Sequence, residues 1–397
     1  MKNIKIIRSY IFYQLYKLFY SITKKEKTKQ KLKHYRRKYS ILSTKTVSYK
    51  EFRDYIKKRE NLSIYDYEEI ASPLPFHVQS SELWGWNDFY GTAEIYKKYA
   101  GYPLDYQVKF VIDHSIHFWI ERYNNEEYSV NLPAHIATSE FAKEQIEKHV
   151  KTMIFPTGLH MFYAEDYYDD NKFKTEKEKL GKNLLVFPSH SSDVCIAEFD
   201  PEPLIKEILA TKERGNFNSV TVCFYFADIQ RKFHKKFEGH GFKFVTAGHI
   251  LDPKFISRLK TIIKLSDVTM SNGIGSHIFY SIGFDKPHYM IEENNYKYID
   301  TANDKQGNIQ EKTEGELLYE PSVGYYRNIF KDYTESLTKE QLEIKNKICG
   351  IESKRTKEEI CNFFKETEEI YKKGSYLSNE KPYTHIFTLM QYLDNEK

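Results

Sequence analysis

A chain of 397 residues is too long for one ordinary core and has the length of two domains with additional helices. Its 40% hydrophobic and 16% aromatic residues exclude a globally disordered protein, although 29% of the residues are charged. The net charge of +4 is uneven, because residues 1–45 hold 14 Lys and Arg against the single acid Glu26. The rest of the chain is mildly acidic, which argues against a nucleic-acid partner and favours an anionic membrane surface for the basic segment.

Cysteine usage indicates an intracellular, metal-free protein. Cys195, Cys223, Cys349 and Cys361 form no CxxC pair, which predicts reduced thiols in the cytoplasm and no zinc site. No stretch of about 20 apolar residues occurs, so the sequence predicts no membrane-spanning helix.

The basic segment, residues 1–45, begins with a predicted amphipathic helix. Apolar side chains recur at helical spacing at Ile4, Ile7, Ile11, Leu15, Leu18 and Ile22. Together with the lysine-rich run that follows, this pattern predicts a helix lying on the inner face of the cell membrane. The alternative is a helix docked on its own protein, followed by a solvated charge run.

The next segment, residues 46–180, is predicted to be a Rossmann-like domain. Short apolar runs followed by a helical pattern at 140–150 indicate strand-then-helix units. The predicted strands are 108–112, 134–137 and 151–156. A charged stretch at 167–182 is typical of a solvated linker, which places the domain boundary at residue 181.

Strands and helices alternate more clearly in the segment 181–333. The predicted strands are 183–187, 219–226, 243–246, 267–270 and 288–291. The predicted helices are 203–212, 228–237, 253–265 and 277–282. This alternation predicts a parallel, doubly wound sheet, and the remaining segment, 334–397, is predicted to be helical.

The strongest chemical signal follows the predicted strand 267–270. Ser271, Asn272 and a glycine-bearing turn through Gly275 lead into a helix that starts near Ser276 and His277. Glycines allow close backbone approach, and free amides at a helix start bind phosphate. The alternative is an ordinary strand-loop-helix connection with a capping serine.

Two other strand ends of the same predicted sheet are polar. One ends at Gly248 and His249, and the first strand of the domain is followed by Ser189, His190 and Ser191. The carboxyl ends of strands are where doubly wound sheets bind ligands, so these residues are predicted to contribute to a nucleotide site. The alternative for His249 is an ordinary loop histidine.

In the first predicted domain, Asp113 and His114 follow a strand. His114 could deprotonate an acceptor hydroxyl, with Asp113 orienting it, because the pKa of histidine lies near working pH. The alternative is a hydrogen-bonded loop pair.

An aromatic segment, residues 82–92, carries Trp84, Trp86, Asp88 and Tyr90. Aromatic rings stack on sugar rings and a carboxylate bonds hydroxyls, so these residues are predicted to bind the acceptor. A plain aromatic core cluster is the alternative.

Four of these segments together resemble a family. Residues 112–115, 187–191, 246–252 and 269–280 are similar to segments of bacterial capsule and lipopolysaccharide glycosyltransferases of the GT-B type, over roughly residues 80–295. The likeness extends more loosely to transferases that use CMP-activated acidic sugars such as sialic acid and Kdo.

The resemblance implies two Rossmann-like domains and a glycosyltransferase that moves a sugar from a nucleotide donor to a surface polysaccharide or glycolipid. It also implies catalysis without a metal or other cofactor, since helix ends and amides replace the cation in such enzymes. The alternatives are a CDP-polyol phosphotransferase and a non-catalytic carbohydrate- or nucleotide-binding partner of a polysaccharide assembly complex.

Overall fold

The computed structural model describes residues 45–113, 116, 118, 130–148, 150–191, 195–291, 297–300, 311–313, 321–374 and 388–389, with parts of 10–19. The strands are β1 Thr46–Ser48, β2 His77–Gln79, β3 Phe110–Ile112, β4 Ala134–Ala137, β5 Met153–Pro156, β6 Asn183–Phe187, β7 Cys195–Glu198, β8 Ser219–Cys223, β9 Lys243–Val245, β10 Val268–Ser271, β11 His288–Met290, β12 Lys297–Asp300, β13 Glu311–Thr313 and β14 Thr388–Leu389. The α-helices are α1 Tyr49–Ile56, α2 Tyr67–Ile70, α3 Thr92–Ala100, α4 Glu140–Ile146, α5 Asp170–Leu180, α6 Glu202–Arg214, α7 Phe226–Gln230, α8 Phe255–Lys264, α9 Ser276–Gly283, α10 Pro321–Phe330, α11 Lys339–Cys349 and α12 Lys357–Lys373.

A five-stranded parallel sheet organises the second half of the chain. Its spatial order is β11-β10-β6-β8-β9, and every neighbouring pair is parallel. Numbered along the chain, this is the 3-2-1-4-5 order of doubly wound folds, which confirms the predicted parallel sheet. All five residues of β6 are buried, as expected for a central strand covered on both faces. The order reverses between β6 and β10, and the loops after these two strands leave the sheet side by side.

A second parallel sheet, β3-β4-β5, lies in the first half of the chain. Helix α4 follows β4 and is capped by Ser139, whose hydroxyl accepts from the Ala142 amide at 3.1 Å. The carboxamide of Asn87 bonds both the Phe110 carbonyl and the Ile112 amide at 2.9 Å, as a neighbouring strand would. The predicted strand-then-helix units are therefore confirmed here, and the fold is mixed α/β with parallel sheets.

One continuous core joins the two halves. A single cluster of buried side chains includes Phe110 and Ile136 from the first sheet and Leu185 and Phe187 from the second. The C-terminal helices return to the first half, where the Phe363 ring of α12 stacks 4.3 Å from that of Phe155. The proposed division into 46–180 and 181–333 remains a prediction, because this core contains side chains from both segments.

Two features differ from the sequence prediction. The expected solvated linker is helix α5, which begins after Asp169, whose carboxylate accepts from the Lys172 amide at 2.8 Å. Two small sheets, β1-β2-β14 and β13-β12-β7, were not predicted at all. Within the described residues, no helix is long and apolar enough to cross a membrane.

Candidate functional site

The loops after β6 and β10 meet at the point where the strand order reverses. The Ser189 amide donates to the Asn272 side-chain oxygen at 2.7 Å. A Cβ on Gly273 would lie 2.2 Å from the Ser189 hydroxyl oxygen, so only glycine allows the two loops to approach this closely without movement. Two of the three polar strand ends that the sequence indicates are therefore in contact, at the place where doubly wound sheets bind ligands. We call this contact the loop junction.

A buried histidine on β11 holds the β10 side of the loop junction. Ser271 donates from its hydroxyl to the Gly273 carbonyl at 2.9 Å and bonds the His288 Nε2 at 2.9 Å. The other ring nitrogen of His288 bonds the Thr269 hydroxyl at 2.8 Å. Burial keeps the pKa of His288 well below its ordinary value, so the ring is neutral and acts as a hydrogen-bonding brace.

Helix α9 begins directly after the loop junction, and no side chain caps it. Gly275 occupies the capping position in an extended conformation, and the amides of the first turn face outward from the helix start. The Ser276 hydroxyl accepts from the Ile116 amide at 3.3 Å, which brings the loop after β3 to the same place. A helix start of this kind carries positive potential and suits an anionic group.

His277, in the first turn of α9, is a hydrogen-bond acceptor. Its Nδ1 side bonds the Gly273 backbone, and its ring stacks 5.0 Å from that of Phe187. Burial, reinforced by the nearby His190, lowers the pKa of His277 to about 3, so the ring is neutral. Its Nε2 is buried without a hydrogen-bond partner among the described residues. A neutral ring bonded in this way offers a ligand an acceptor nitrogen.

A cavity of about 150 Å³ adjoins the start of α9. Its wall includes Ser276, His277 and His190 and the aromatic rings of Phe187, Tyr90, Tyr225, Phe255 and Tyr280. No carboxylate, lysine or arginine is among the described residues that line it. The Tyr280 side chain is buried there with its pKa raised by burial, so its hydroxyl stays protonated as a donor. The cavity suits an uncharged, flat or ring-shaped group. We call it the aromatic cavity.

His190 and Ser191 separate this cavity from a larger one. The His190 ring lies 4.7 Å from the Tyr225 ring at the edge of the aromatic cavity. Ser191 is buried on the other side, where its amide donates to both carboxylate oxygens of Asp228 at 3.1 and 3.2 Å. Of these two predicted residues, His190 is placed to touch a ligand in the aromatic cavity and Ser191 anchors the loop.

The third polar strand end has a different environment. His249 is buried, and its Nδ1 accepts from the Leu251 amide at 3.2 Å. Burial lowers the pKa of His249 to about 3, so its ring is neutral. Gly248 has a φ of +107°, a backbone angle that residues with a side chain rarely adopt, and it packs against the Arg258 guanidinium. Arg258 pairs with Asp252 at 2.6 Å inside the protein. This geometry favours the loop-histidine alternative, because neither Gly248 nor His249 lines the aromatic cavity.

Of the two first-half residues with a predicted catalytic role, the structure describes Asp113. Its side chain is buried directly after β3, and its carbonyl oxygen is bonded by the His160 Nε2 at 2.9 Å. His114 lies outside the described residues. The Ile116 contact with Ser276 nevertheless brings this loop next to α9, so the first half contributes to the candidate site.

The aromatic segment divides between core and cavity. Trp84 and Asp88 are buried, and the Asp88 carboxylate accepts from the Ser80 hydroxyl at 2.5 Å. Burial, reinforced by Glu82, raises the pKa of Asp88 to about 7. The Trp86 ring is tilted against the Trp84 ring at 5.1 Å and stacks on the Phe89 ring at 5.8 Å. Only Tyr90 of the four predicted acceptor residues lines the aromatic cavity, which favours the core-cluster alternative for the other three.

Sequence reasoning missed several residues of this region. His288 lies within a strand and reaches Ser271 only through the sheet pairing of β10 with β11. Tyr225 lies within a predicted strand and Tyr280 within a predicted helix, so the sequence gives neither a ligand-binding role, although both line the cavity. The signal for Tyr225 is its position two residues beyond the end of β8, at the same edge of the sheet as the other polar loops. No group of three metal-ligating side chains lies close enough to hold a metal within the part of the chain that is described.

The chain matches no protein-family model and no curated protein sequence. Among solved structures it is similar to an S. aureus MnaA-UDP complex, at 13% identity over 63% of this chain and 63% of that one, with a TM-score of 0.32. UDP-GlcNAc 2-epimerase from Neisseria meningitidis bound to UDP-GlcNAc gives 12% identity over 64% and 66% of the two chains and a TM-score of 0.33. A Glycosylation Associate Protein (Gap123) complex from Streptococcus agalactiae gives 11% identity over 67% and 48% and a TM-score of 0.28. The chain thus spans less than two thirds of these structures' own length, and scores of this size do not establish a common fold.

Proposed function

We propose that this protein is a glycosyltransferase of the GT-B type, which transfers a sugar from a nucleotide donor to a bacterial surface polysaccharide or glycolipid without a bound metal. The observation that carries the proposal is the loop junction at the reversal point of the sheet, where the Ser189 amide bonds Asn272 beside the uncapped start of α9. Ligands of doubly wound folds bind at this point, and helix starts bind phosphate. The resemblance of the four sequence segments supports sugar transfer as the reaction.

The donor is proposed to lie across α9 with its phosphates at the helix start. The amides of the first turn and the Ser276 hydroxyl would stabilise the negative charge that develops on the leaving phosphate. His277 Nε2 would accept from a ligand hydroxyl, and the uncharged aromatic cavity would receive the base or the sugar. His190, which lines this cavity, would contact the same ligand.

The acceptor base is proposed to come from the loop after β3. His114 is the candidate, with Asp113 beside it in sequence, and the Ile116 contact brings this loop to the donor site. A His114→Gln protein is expected to bind nucleotide normally and to lose turnover at least about a hundredfold, the usual contribution of a general base. Unchanged turnover would remove His114 from the mechanism.

A binding panel tests the donor assignment. Titration calorimetry with CMP, CDP, UDP, GDP and their sugars should find one selective nucleotide. Ser276→Ala and His277→Phe should each weaken it about tenfold, in line with one lost hydrogen bond to a charged or buried group. His240→Phe is the control, because His240 lies before β9 and does not line the cavity. A panel without binding would refute the proposal. Binding without any sugar transfer would favour a non-catalytic assembly partner, and transfer of a phospho-polyol from a CDP donor would favour a phosphotransferase.

The N-terminal segment is proposed to hold the enzyme on the cytoplasmic face of the membrane. Residues 10–12, 14, 15, 18 and 19 are helical, and the apolar side chains of Ile11, Leu15 and Leu18 are 53%, 42% and 56% exposed. Apolar exposure on this scale favours the membrane over the docked alternative. Each basic residue near an anionic surface adds on the order of 1 kcal/mol, falling with salt.

A truncated protein that begins at Thr46 tests this location. It should lose binding to anionic liposomes at low salt and keep its activity on a short acceptor. Liposomes of neutral lipid are the control, since they offer no surface charge to the basic segment. Equal sedimentation of full-length and truncated protein with anionic liposomes would contradict the proposal.

A further inference from the structure

A second, larger cavity of about 610 Å³ lies on the other side of the Ser191 loop. Its floor is fixed by Ser191, which bonds Asp228 through its amide and accepts from the Ala197 amide at 3.1 Å. The cavity therefore lies between β7 and the turn after α7. We call it the basic cavity, because three cations line it, Arg231, Lys232 and Lys236.

Among the described residues that line the basic cavity, three are cationic and two are acidic. The lining acids are Glu198, which is exposed, and Asp228, whose two oxygens already accept from Ser191. Lys232 and Lys236 form no ion pair with a carboxylate among the described residues. An acidic ligand group would therefore find cations available within a walled cavity.

Lys232 has an unusual backbone conformation. Its φ is +61°, in the left-handed region that residues other than glycine rarely adopt. Such a conformation is retained where surrounding structure over-determines it, and it recurs at ligand sites. Here it starts the 3₁₀ turn Phe233–Phe237, which carries Lys236.

The remaining wall is apolar and includes two aromatic rings. The Phe199 and Phe233 rings lie 5.1 Å apart near the cations, and the Lys236 ammonium lies 5.1 Å from the centre of the Phe233 ring. Aromatic faces pack on the apolar face of a sugar ring, and an exposed carboxylate such as Glu198 accepts from sugar hydroxyls. Cations, rings and a carboxylate in one cavity match a saccharide that carries an acidic group.

We infer that the basic cavity binds an acidic saccharide, one bearing a carboxylate or a phosphate, as the acceptor of the proposed transfer. Lys232 and Lys236 hold the acidic group, and the rings of Phe199 and Phe233 contact the sugar. The inference rests on the proposed function, since it names the class of the acceptor. The consecutive residues His190 and Ser191 line the aromatic cavity and the basic cavity respectively, so an acceptor here lies beside the proposed donor.

Ligand-observed NMR and calorimetry on the full chain test the inference with glucuronate, glucose 6-phosphate, glucose and inorganic phosphate. Glucuronate and glucose 6-phosphate should bind, and glucose should bind at least about tenfold more weakly because it makes no charge-assisted bond. The double variant Lys232→Asn, Lys236→Gln should bind glucuronate and glucose 6-phosphate more weakly than the wild type by a similar factor. Asparagine tolerates the left-handed conformation, so the turn should be kept. Lys235→Gln is the matched control, from the same turn but outside the cavity.

Four results would overturn the inference. Glucose binding as tightly as glucuronate would show that the cations play no part. Inorganic phosphate binding as tightly as glucose 6-phosphate would show an anion site without sugar recognition. Loss of binding in Lys235→Gln equal to that in the double variant would place the site elsewhere. Nucleotide binding without acidic-saccharide binding would refute this inference alone, whereas the reverse would refute the proposed donor site.

Discussion

Replacing Gly273 with alanine should separate the two loops that form the loop junction. The new Cβ would lie 2.2 Å from the Ser189 hydroxyl oxygen, more than 1 Å inside the 3.4 Å at which ordinary contact begins. Overpacking of this kind costs about 1–3 kcal/mol when the neighbours cannot move. The Ser189 hydroxyl can rotate away, so we expect about 1 kcal/mol lower stability in urea unfolding. We also expect about tenfold weaker nucleotide binding, because the Ser189–Asn272 contact beside α9 shifts.

A second substitution tests whether the clash with the Ser189 hydroxyl causes these losses of stability and affinity. In Gly273→Ala with Ser189→Ala, the nearest remaining atom is the residue-189 Cβ at 3.5 Å, an ordinary contact. The double variant should therefore regain most of the lost stability and affinity. Gly324→Ala is the control, because nothing lies within 4 Å of that Cβ in α10, and it should gain up to about 1 kcal/mol. Wild-type behaviour of Gly273→Ala, or a double variant no better than the single one, would refute the reasoning.

Three further predictions concern stability and metal dependence. Burial lowers the pKa of His135 to about 4 and of His249 to about 3, so the unfolded state takes up protons that the folded state does not. The free energy of unfolding should fall as pH drops below about 6.5, by roughly 2 kcal/mol per histidine at pH 5, and a urea midpoint that is the same at pH 7 and pH 5 would contradict this. Lys97→Met should cost about 3–5 kcal/mol in urea unfolding, because it leaves the buried Glu82 carboxylate without its cationic partner, and the exposed Lys57→Met should cost under about 1 kcal/mol. EDTA should leave the proposed transferase activity intact, and loss of activity that Mg²⁺ restores would show a metal requirement.

The buried sheet could be predicted from sequence because its central strand is largely apolar, with four apolar residues of five in β6. The predicted bounds of β6 and β4 match the structure residue for residue, and α6, α8 and α9 differ from the predicted helices by one or two residues at each end. The predicted helix 228–237 is wrong, because the structure has the short helix α7 and a separate 3₁₀ turn, Phe233–Phe237, in its place. Strands β7 and β12 could not be predicted in this way. They are four residues long and pair with each other across about 100 residues of chain, so no local pattern marks them.

The error at 167–182 has a different cause. A solvated helix and a solvated linker share the same charged composition, and most side chains of α5 are at least partly exposed. The distinguishing signal was Asp169 in the capping position before a run of good helix formers.

The candidate site was predictable as far as the strand ends and no further. Topology brings the loops after β6 and β10 together, and the sequence supplies their polar residues. Which side chains point at a ligand depends on packing. His249 follows a strand as the serine loop does. Its loop is buried, however, because Arg258 donates to the Ala247 carbonyl and pairs with Asp252 inside the protein. The residue types of Trp84 and Asp88 fit a sugar-binding site and a protein core equally well, and the burial of both side chains favours the core.

The contacts of the candidate site connect loops to one another, and this has a consequence for ligand binding. Ser189 bonds Asn272 between β6 and β10, Ser191 bonds Asp228 between β6 and α7, and Ile116 bonds Ser276 between the two halves. Three polar contacts therefore hold the loop geometry before a ligand arrives, which lowers the ordering cost of binding. The Ser276 hydroxyl accepts from Ile116 and keeps its proton, so it can still donate to a phosphate. A ligand at α9 can thus bind without breaking the contact between the halves, and it adds to a site that is already assembled.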